Sequence, residues 1–247
     1  MAVQGERVNS GPGDRRSPQL AMGSQQPGAV VAAPLAEQVF DTLRGWIVNG
    51  QLPAGHRLGV RELSEMVGTS AMPVREAVRG LVEAGLAVHE PYKGARVRGL
   101  DVGELEHAYD VRILLEGESA RLGAVAAGPE VVERMREHWV ALEEAARAGD
   151  VTEALQRDEL LLDALYTATG NDILCDIIHG LWDRCRPYKM LWVSDAAQRG
   201  DVHIWQYKPA LIAAVEAGDG VEAEQVLKRS YTAAKSSLRA LLTSTSR

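Results

Sequence analysis

The sequence predicts a mainly α-helical chain: three short helices closed by a small β-hairpin, then an all-α bundle of about six or seven helices. Three observations predict it. Apolar residues recur at helical spacing from Val39 almost to the C-terminus. Paired extended runs occur once, at Leu86–Glu90 and Ala95–Arg98, around the turn Pro91-Tyr92-Lys93-Gly94. Beyond Asp101, breaks of the Ala-Gly-Asp or Gly-Asn-Asp type divide a pattern that is otherwise helical throughout.

The elements follow in order. Val39, Leu43 and Ile47 mark one face of a first helix, which Asn49-Gly50 ends. Leu52-Pro53-Ala54-Gly55 turns the chain before Leu58. In the next helix Leu63, Met66 and Val67 fall at i, i+3 and i+4, a spacing that predicts one buried face, and Gly68 stands where the helix would stop with a left-handed residue. Pro73 suits the first turn of the following helix, because the N–H it lacks would be unpaired there anyway. Val74, Ala77, Val78 and Leu81 repeat the apolar spacing and leave Arg75 and Arg79 on the other side. The stretch Arg61–Leu86 therefore reads as a helix-turn-helix whose second helix enters the DNA major groove, or else as a plain helical hairpin with a solvated basic face. The hairpin downstream turns the first alternative into a winged helix, with Lys93 at its tip placed for a phosphate or the minor groove.

These motifs (LPAGHRL, REL, PVREAVRGL, EAGL and a wing ending in GARV) resemble the N-terminal domain of GntR-type transcriptional regulators over roughly residues 34 to 98. The resemblance implies DNA contacts from Arg61, Ser70, Arg75, Arg79, Lys93 and Gly94. Two departures stand out. Ala54-Gly55 replaces the usual Pro-Gly, and Ala71-Met72 replaces the usual Arg-Thr, which removes one family contact and points to an unusual operator.

Composition bounds the rest. The 247 residues are 46% hydrophobic, enough for real cores, but only 5% aromatic, so aliphatic helix packing must fill them. No run approaches the length of a membrane span and nothing resembles a secretory signal, so a cytoplasmic protein is expected. Cys175 and Cys185, ten apart, have no zinc spacing and read as buried and reduced. Residues 34–98 hold eight Lys/Arg against seven Asp/Glu, and residues 99–247 hold sixteen against twenty-five. Bulk charge cannot bind DNA here. A few well-placed arginines must do so, with the acidic remainder held away from the phosphates.

Residues 1–33 are rich in Gly, Pro, Ser and Gln without apolar period and read as a disordered arm, in which Arg15-Arg16 could add a weak phosphate contact. From Asp101, Leu105, Ala108, Val111, Leu115 and Leu122 trace one face of the first bundle helix. At Ala148-Gly149-Asp150 and Ala217-Gly218-Asp219 a Gly can close one helix and an Asp can cap the next. The expected domains are thus 1–33, 34–98 and 99–243.

The C-terminal part, with DVRILLEGESARLGA, TATGN and AAVEAGD, is similar to the FCD ligand-binding domain of the FadR subfamily of GntR regulators. Most such domains hold a divalent metal with one Asp and three His, and the metal binds a carboxylate effector. Carried onto this chain, the four positions are Asp158, Leu162, Lys208 and Ser230. One ligand of four survives, so no metal and no cofactor are expected. The other histidines, His107, His138, His179 and His203, fit none of these positions. Lys208 replaces the metal's charge: it either receives an anionic effector or pairs with Asp158, unless it snorkels to solvent. Arg112 is a candidate second cation, and Tyr166, Trp192 and Tyr207 are candidate walls.

The resemblance implies a homodimer on a palindromic operator of double-stranded DNA, controlled by a small, anionic effector and more often a repressor than an activator. The alternative is an effector-free DNA-binding dimer whose bundle only dimerises. An enzyme is not expected, since no glycine-rich phosphate loop, nucleophile elbow or paired-carboxylate motif occurs. The 149 residues from Gly99 are also too few for the aminotransferase-like domain of other GntR members.

Overall fold

A computed structural model describes Met1 and residues 35–245; the expected N-terminal arm, with Arg15 and Arg16, lies outside these residues. The first three helices are α1 (Leu35–Val48), α2 (Val60–Val67) and α3 (Ala71–Glu83), followed by strands β1 (Ala87–Glu90) and β2 (Gly94–Val97). Val39, Leu43, Ile47, Leu63, Val74, Ala77 and Leu81 form their shared core with Leu58, Leu86 and Val97. Gly68 ends α2 at φ 74°, in the left-handed region that the sharp turn into α3 requires. One expectation fails here: Met66 is exposed. The buried face of α2 is Val60, Leu63 and Val67, and Met66 falls about 100° around the helix from Val67.

The hairpin pairs Ala87 with Val97 and Glu90 with Gly94, so Gly94 opens β2 and the turn proper is Pro91-Tyr92-Lys93. Tyr92 takes φ 65° at its tip, rare for a non-glycine residue. The turn after α1 lies along β2 as a third edge: Leu58 N–H donates to the Ala95 carbonyl and Gly55 N–H to that of Val97, both at 2.9 Å. This is a winged helix-turn-helix.

The bundle is made of α4 (Val102–Ala126), α5 (Pro129–Ala148), α6 (Val151–Thr167), α7 (Asp172–Gln198), α8 (Lys208–Glu216) and α9 (Gly220–Thr245), with a 3₁₀ turn at His203–Trp205. Its punctuation is chemical. Asp150, Asn171 and Asp219 each accept the backbone N–H three residues on, while Gly149 and Gly218 close the preceding helices with positive φ. Asp101 and Glu104 cap α4 reciprocally. The expected face of α4 is corrected. Its buried side is Leu105, Tyr109, Arg112, Glu116, Ala120 and Ala124, whereas Val111 and Leu122 are exposed. Cys175 and Cys185 are buried and free. Among the described residues no helix is long and apolar enough to cross a membrane.

Candidate functional site

The candidate DNA-facing surface is built by α3 and the wing. Packing of Val74, Ala77, Val78 and Leu81 into the core turns Arg75 and Arg79 outward. An open cleft beside α3 is lined by Arg57, Arg75, Arg79, His89, Lys93 and Gly94. Arg75 also borders the groove between α2 and α3, with Arg61 and Ala71. Arg61 and Arg79 are held by Glu65 and Glu83 one turn on, at 3.2 and 2.9 Å, and all four side chains remain largely exposed. Such pairs add little stability, but they hold the guanidinium groups along the surface. Arg75 makes no ion pair or hydrogen bond among the described residues, so its charge is free for a phosphate or a base edge. Ser70 is the N-cap of α3, and its hydroxyl makes no capping bond. It stands at the positive end of the helix, where an anion is favoured.

Arg57 is an unexpected member of this surface. It donates to the Lys93 carbonyl at 3.1 Å, which ties the α1–α2 turn to the wing tip. Its position within LPAGHRL was visible in the sequence, but its neighbourhood was not, because it depends on the added edge along β2.

The centre of the bundle holds a buried network of charge. Asp158 on α6 is pinched between two buried lysines: Lys208 at the start of α8, Nζ to Oδ1 at 2.5 Å, and Lys189 on α7, hydrogen-bonded to Oδ2. Burial opposes the Asp158 charge, but the two ammonium groups overcome it and hold the carboxyl well below the usual range. Burial pushes the Lys208 ammonium down, and Asp158 offsets only part of that.

Glu116 on α4 anchors a second cluster. It accepts from Arg112 Nε at 2.6 Å, from Trp182 Nε1 at 2.9 Å, from the Tyr166 hydroxyl at 3.1 Å and from the Tyr231 hydroxyl. Burial, reinforced by the Glu116 charge, pushes the Tyr231 hydroxyl well up, so it stays a donor. Arg112 lies over the rings of Tyr109 and Tyr231, 4.9 and 4.6 Å from their centroids. Beside these clusters Arg186 pairs with Glu159.

Of the candidate effector residues, Arg112, Asp158, Tyr166 and Lys208 are buried in this network. Trp192 and Tyr207 are half-buried against the main core, outside the ion clusters. The ring of Trp205 lies by one of the lysines, its centroid 6.0 Å from Lys189 Nζ. Glu116, Trp182, Lys189 and Tyr231 were not foreseen. Arg112 and Glu116 do carry a signal, since they are i, i+4 and of opposite sign. From α9, Tyr231, next to Ser230, bonds Glu116.

These donors do not suit the metal of related domains. Both Asp158 oxygens face ammonium groups, Leu162 offers only hydrocarbon, and Lys208 brings a competing positive charge.

One helix touches both sites. On α7, Trp182, Arg186 and Lys189 face the charged centre, while Asp183 and Arg184 hold the winged helix and Tyr188 holds the linker that follows it. Asp183 accepts Arg44 of α1 through two bonds. Arg184 donates to the Ala84 carbonyl at 3.3 Å, and the Tyr188 hydroxyl meets the Leu100 amide. Pro187 sits among them and removes the helical bond to the Asp183 carbonyl.

A model described as "FCD domain" matches residues 107–233, more than half of the chain, and one described as "Bacterial regulatory proteins, gntR family" matches residues 35–97. The chain belongs to the GntR family of regulators, in the branch that carries an FCD domain. It is 28% identical to the HTH-type transcriptional regulator McbR of Escherichia coli (strain K12) over 194 residues, 78% of this chain and 87% of that protein. A probable D-xylose utilization operon transcriptional repressor of Paenarthrobacter nicotinovorans is 37% identical over 116 residues, 47% of this chain and 51% of the relative. In structure the chain resembles E. coli McbR/YncC with a TM-score of 0.73 at 24% identity, covering 87% of this chain and all (100%) of the other. A GntR-family chain with this winged helix is a DNA-binding transcriptional regulator and not an enzyme.

Proposed function

We propose that this GntR regulator binds a palindromic operator as a homodimer and is controlled by a small anion bound at Lys208 and Lys189. The supporting observation is the charge balance at the centre of the bundle. Arg112, Arg186, Lys189 and Lys208 stand against Glu116, Asp158 and Glu159, which leaves one positive charge in excess. An uncompensated buried charge is costly, and a carboxylate ligand would relieve it. Arg61, Ser70, Arg75, Arg79, Lys93 and Gly94 are the proposed DNA contacts, joined by Arg57. The proposed domain division is an arm over 1–33, a reading head over 34–98 and a sensor over 99–243.

Coupling would run through α7. A ligand that draws Lys189 away from Asp158 acts on the helix whose next turns hold Arg44, Ala84 and Leu100 of the head and linker. Its effect on DNA binding equals its difference in affinity for the two arrangements of the heads. We take release of DNA, hence repression relieved by ligand, as the working sign.

One observation favours the effector-free alternative. Glu116 has four donors and Asp158 two ammonium partners from within the chain, so the network can stand as a purely structural core. A panel of small organic acids, acyl thioesters and sugar acids, tested for release of bound DNA and for thermal stabilisation, separates the two. The proposal expects an acid that does both in the native chain and neither in Lys208→Ala. An unchanged response in Lys208→Ala would overturn the Lys208 site, and no response to any acid supports the effector-free dimer.

A further inference from the structure

One turn beyond the buried ion cluster, the groove between α6 and α7 changes from charged to apolar. On α6, Ala154 lies four residues before Asp158, and on α7, Val193 lies four after Lys189. Each is thus about 6 Å along its helix from the charged residue, on the same face. Ala154 and Val193 are buried, and with Trp205 they line a small cavity of about 50 Å³. Gly149, Gly200 and Val202, all exposed, stand at its mouth, so the cavity opens to solvent.

Trp205 adjoins both the cavity and the cluster. It lines the first, and its ring centroid is 6.0 Å from Lys189 Nζ in the second. The 3₁₀ turn that carries it leads into α8, where Lys208 follows three residues later. Local bonds hold that turn: Asp201 accepts the His203 amide at 2.9 Å, and the His203 carbonyl accepts the Gln206 amide at 3.0 Å. A side chain on such a short segment can be displaced without opening a long helix.

Each feature restricts the ligand. The cluster has one positive charge in excess, which a monoanion balances and a dianion overshoots. The inner walls of the cavity are hydrocarbon, where an apolar tail gains and a hydroxylated chain loses its hydration without new partners. Asp150 and Asp201 lie at the rim, each accepting a backbone N–H. Their charge repels an anion lying the other way round, so the acid end points inward. We propose that the ligand is an amphiphilic monocarboxylate, its carboxylate on Lys189 and Lys208 and its short hydrocarbon tail beside Trp205, Ala154 and Val193. This rests on the anion reading above and narrows it to acids with an apolar tail, against dicarboxylates and sugar acids.

Calorimetry on the full-length chain tests it with straight-chain acids from propionate to octanoate, beside glutarate and gluconate. Affinity is expected to rise about fourfold with each added CH₂ until the cavity is full. Glutarate and gluconate should bind more weakly than hexanoate. Ala197 lines the cavity and is exposed, so a larger side chain there fills the mouth without entering the core. Ala197→Leu, with helix content unchanged by circular dichroism, should weaken hexanoate about tenfold and propionate far less. Trp205→Phe should abolish the change in tryptophan emission that hexanoate causes. Equal binding of propionate and hexanoate, both lost in Lys208→Ala, would overturn the tail site and leave the anion site standing. Hexanoate binding unchanged in Lys208→Ala, or no binding of any acid, would overturn both.

Discussion

Arg44 of α1 and Asp183 of α7 meet through two parallel bonds, Nε to Oδ2 at 2.6 Å and Nη2 to Oδ1 at 2.8 Å. The fork matches the planar carboxylate, and the bond to Asp183 is the main reason the Arg44 pKa is raised. Arg44 is partly exposed, so the pair is worth less than a buried one. A double-mutant cycle of Arg44→Ala and Asp183→Ala, followed by denaturant unfolding, is expected to give a coupling of about 1 kcal/mol. Independent effects would show that the head and the bundle are not joined at this point.

The Asp158 cluster makes an asymmetric prediction. Asp158→Asn leaves two buried ammonium groups without the anion that bridges them and is expected to cost about 3–5 kcal/mol. Lys208→Met leaves one cation on one carboxylate and keeps the bulk of the side chain, so it should cost less than about 1.5 kcal/mol. Equal costs in urea unfolding would contradict the charge balance described for this core.

The same cluster predicts a pH dependence. An unfolded Asp titrates near about 3.9, whereas folded Asp158 is held well below that. Between these values the unfolded chain binds the proton and the folded chain does not. The contribution of Asp158 is therefore complete above about pH 5 and is lost as pH falls towards the folded value. Folded Lys208 is shifted down from the usual range, so its contribution grows as pH rises from its folded value to about 10.4. Urea midpoints should fall more steeply from pH 5 to pH 3 in the native chain than in Asp158→Asn. Lys208→Met should flatten the alkaline limb. Parallel curves for all three would contradict the assignment.

Gly123 reverses an ordinary rule. Replacing a helical glycine with alanine is usually stabilising by up to about 1 kcal/mol. Here the added Cβ would lie 2.3 Å from the Leu165 carbonyl oxygen, so α4 and α6 would have to part. Gly123→Ala is expected to destabilise by about 1–3 kcal/mol, seen as a lower Tm. A higher Tm would show that the two helices do not approach this closely.

On the DNA face, Arg75→Ala and Arg57→Ala test the cleft beside α3. A lost phosphate contact should weaken binding to every duplex alike and reduce the salt slope by about one, whereas a lost base contact should cost about 1–3 kcal/mol and relax preference at one position. Unchanged affinity in both variants would remove this cleft from the interface.

Much of the fold was legible because its signals are local. Gly68, Gly149 and Gly218 close helices, Asp101, Asp150, Asn171 and Asp219 open them, and the hairpin lies where the turn residues put it. Periodicity misled where more than one face is apolar. Val111 and Leu122 of α4 fit a helical stripe as well as Leu105 does, yet they point away from the bundle. Met66 likewise fits the spacing of Leu63 but is exposed. The inward positions of Asp158 and Lys208 could be counted along the chain, whereas Lys189 meets Asp158, and Trp182 and Tyr231 meet Glu116, only through the packing of α7 and α9. No local spacing encodes those contacts.

The most direct test of a two-fold regulator that reads DNA through α3 and the wing is selection of duplexes bound by the full-length chain from a random pool. The account predicts enrichment of one inverted repeat, lost when the selection is repeated with Arg75→Ala and Arg79→Ala combined. Enrichment of no sequence, or of a single asymmetric site that the double variant binds equally well, would contradict it.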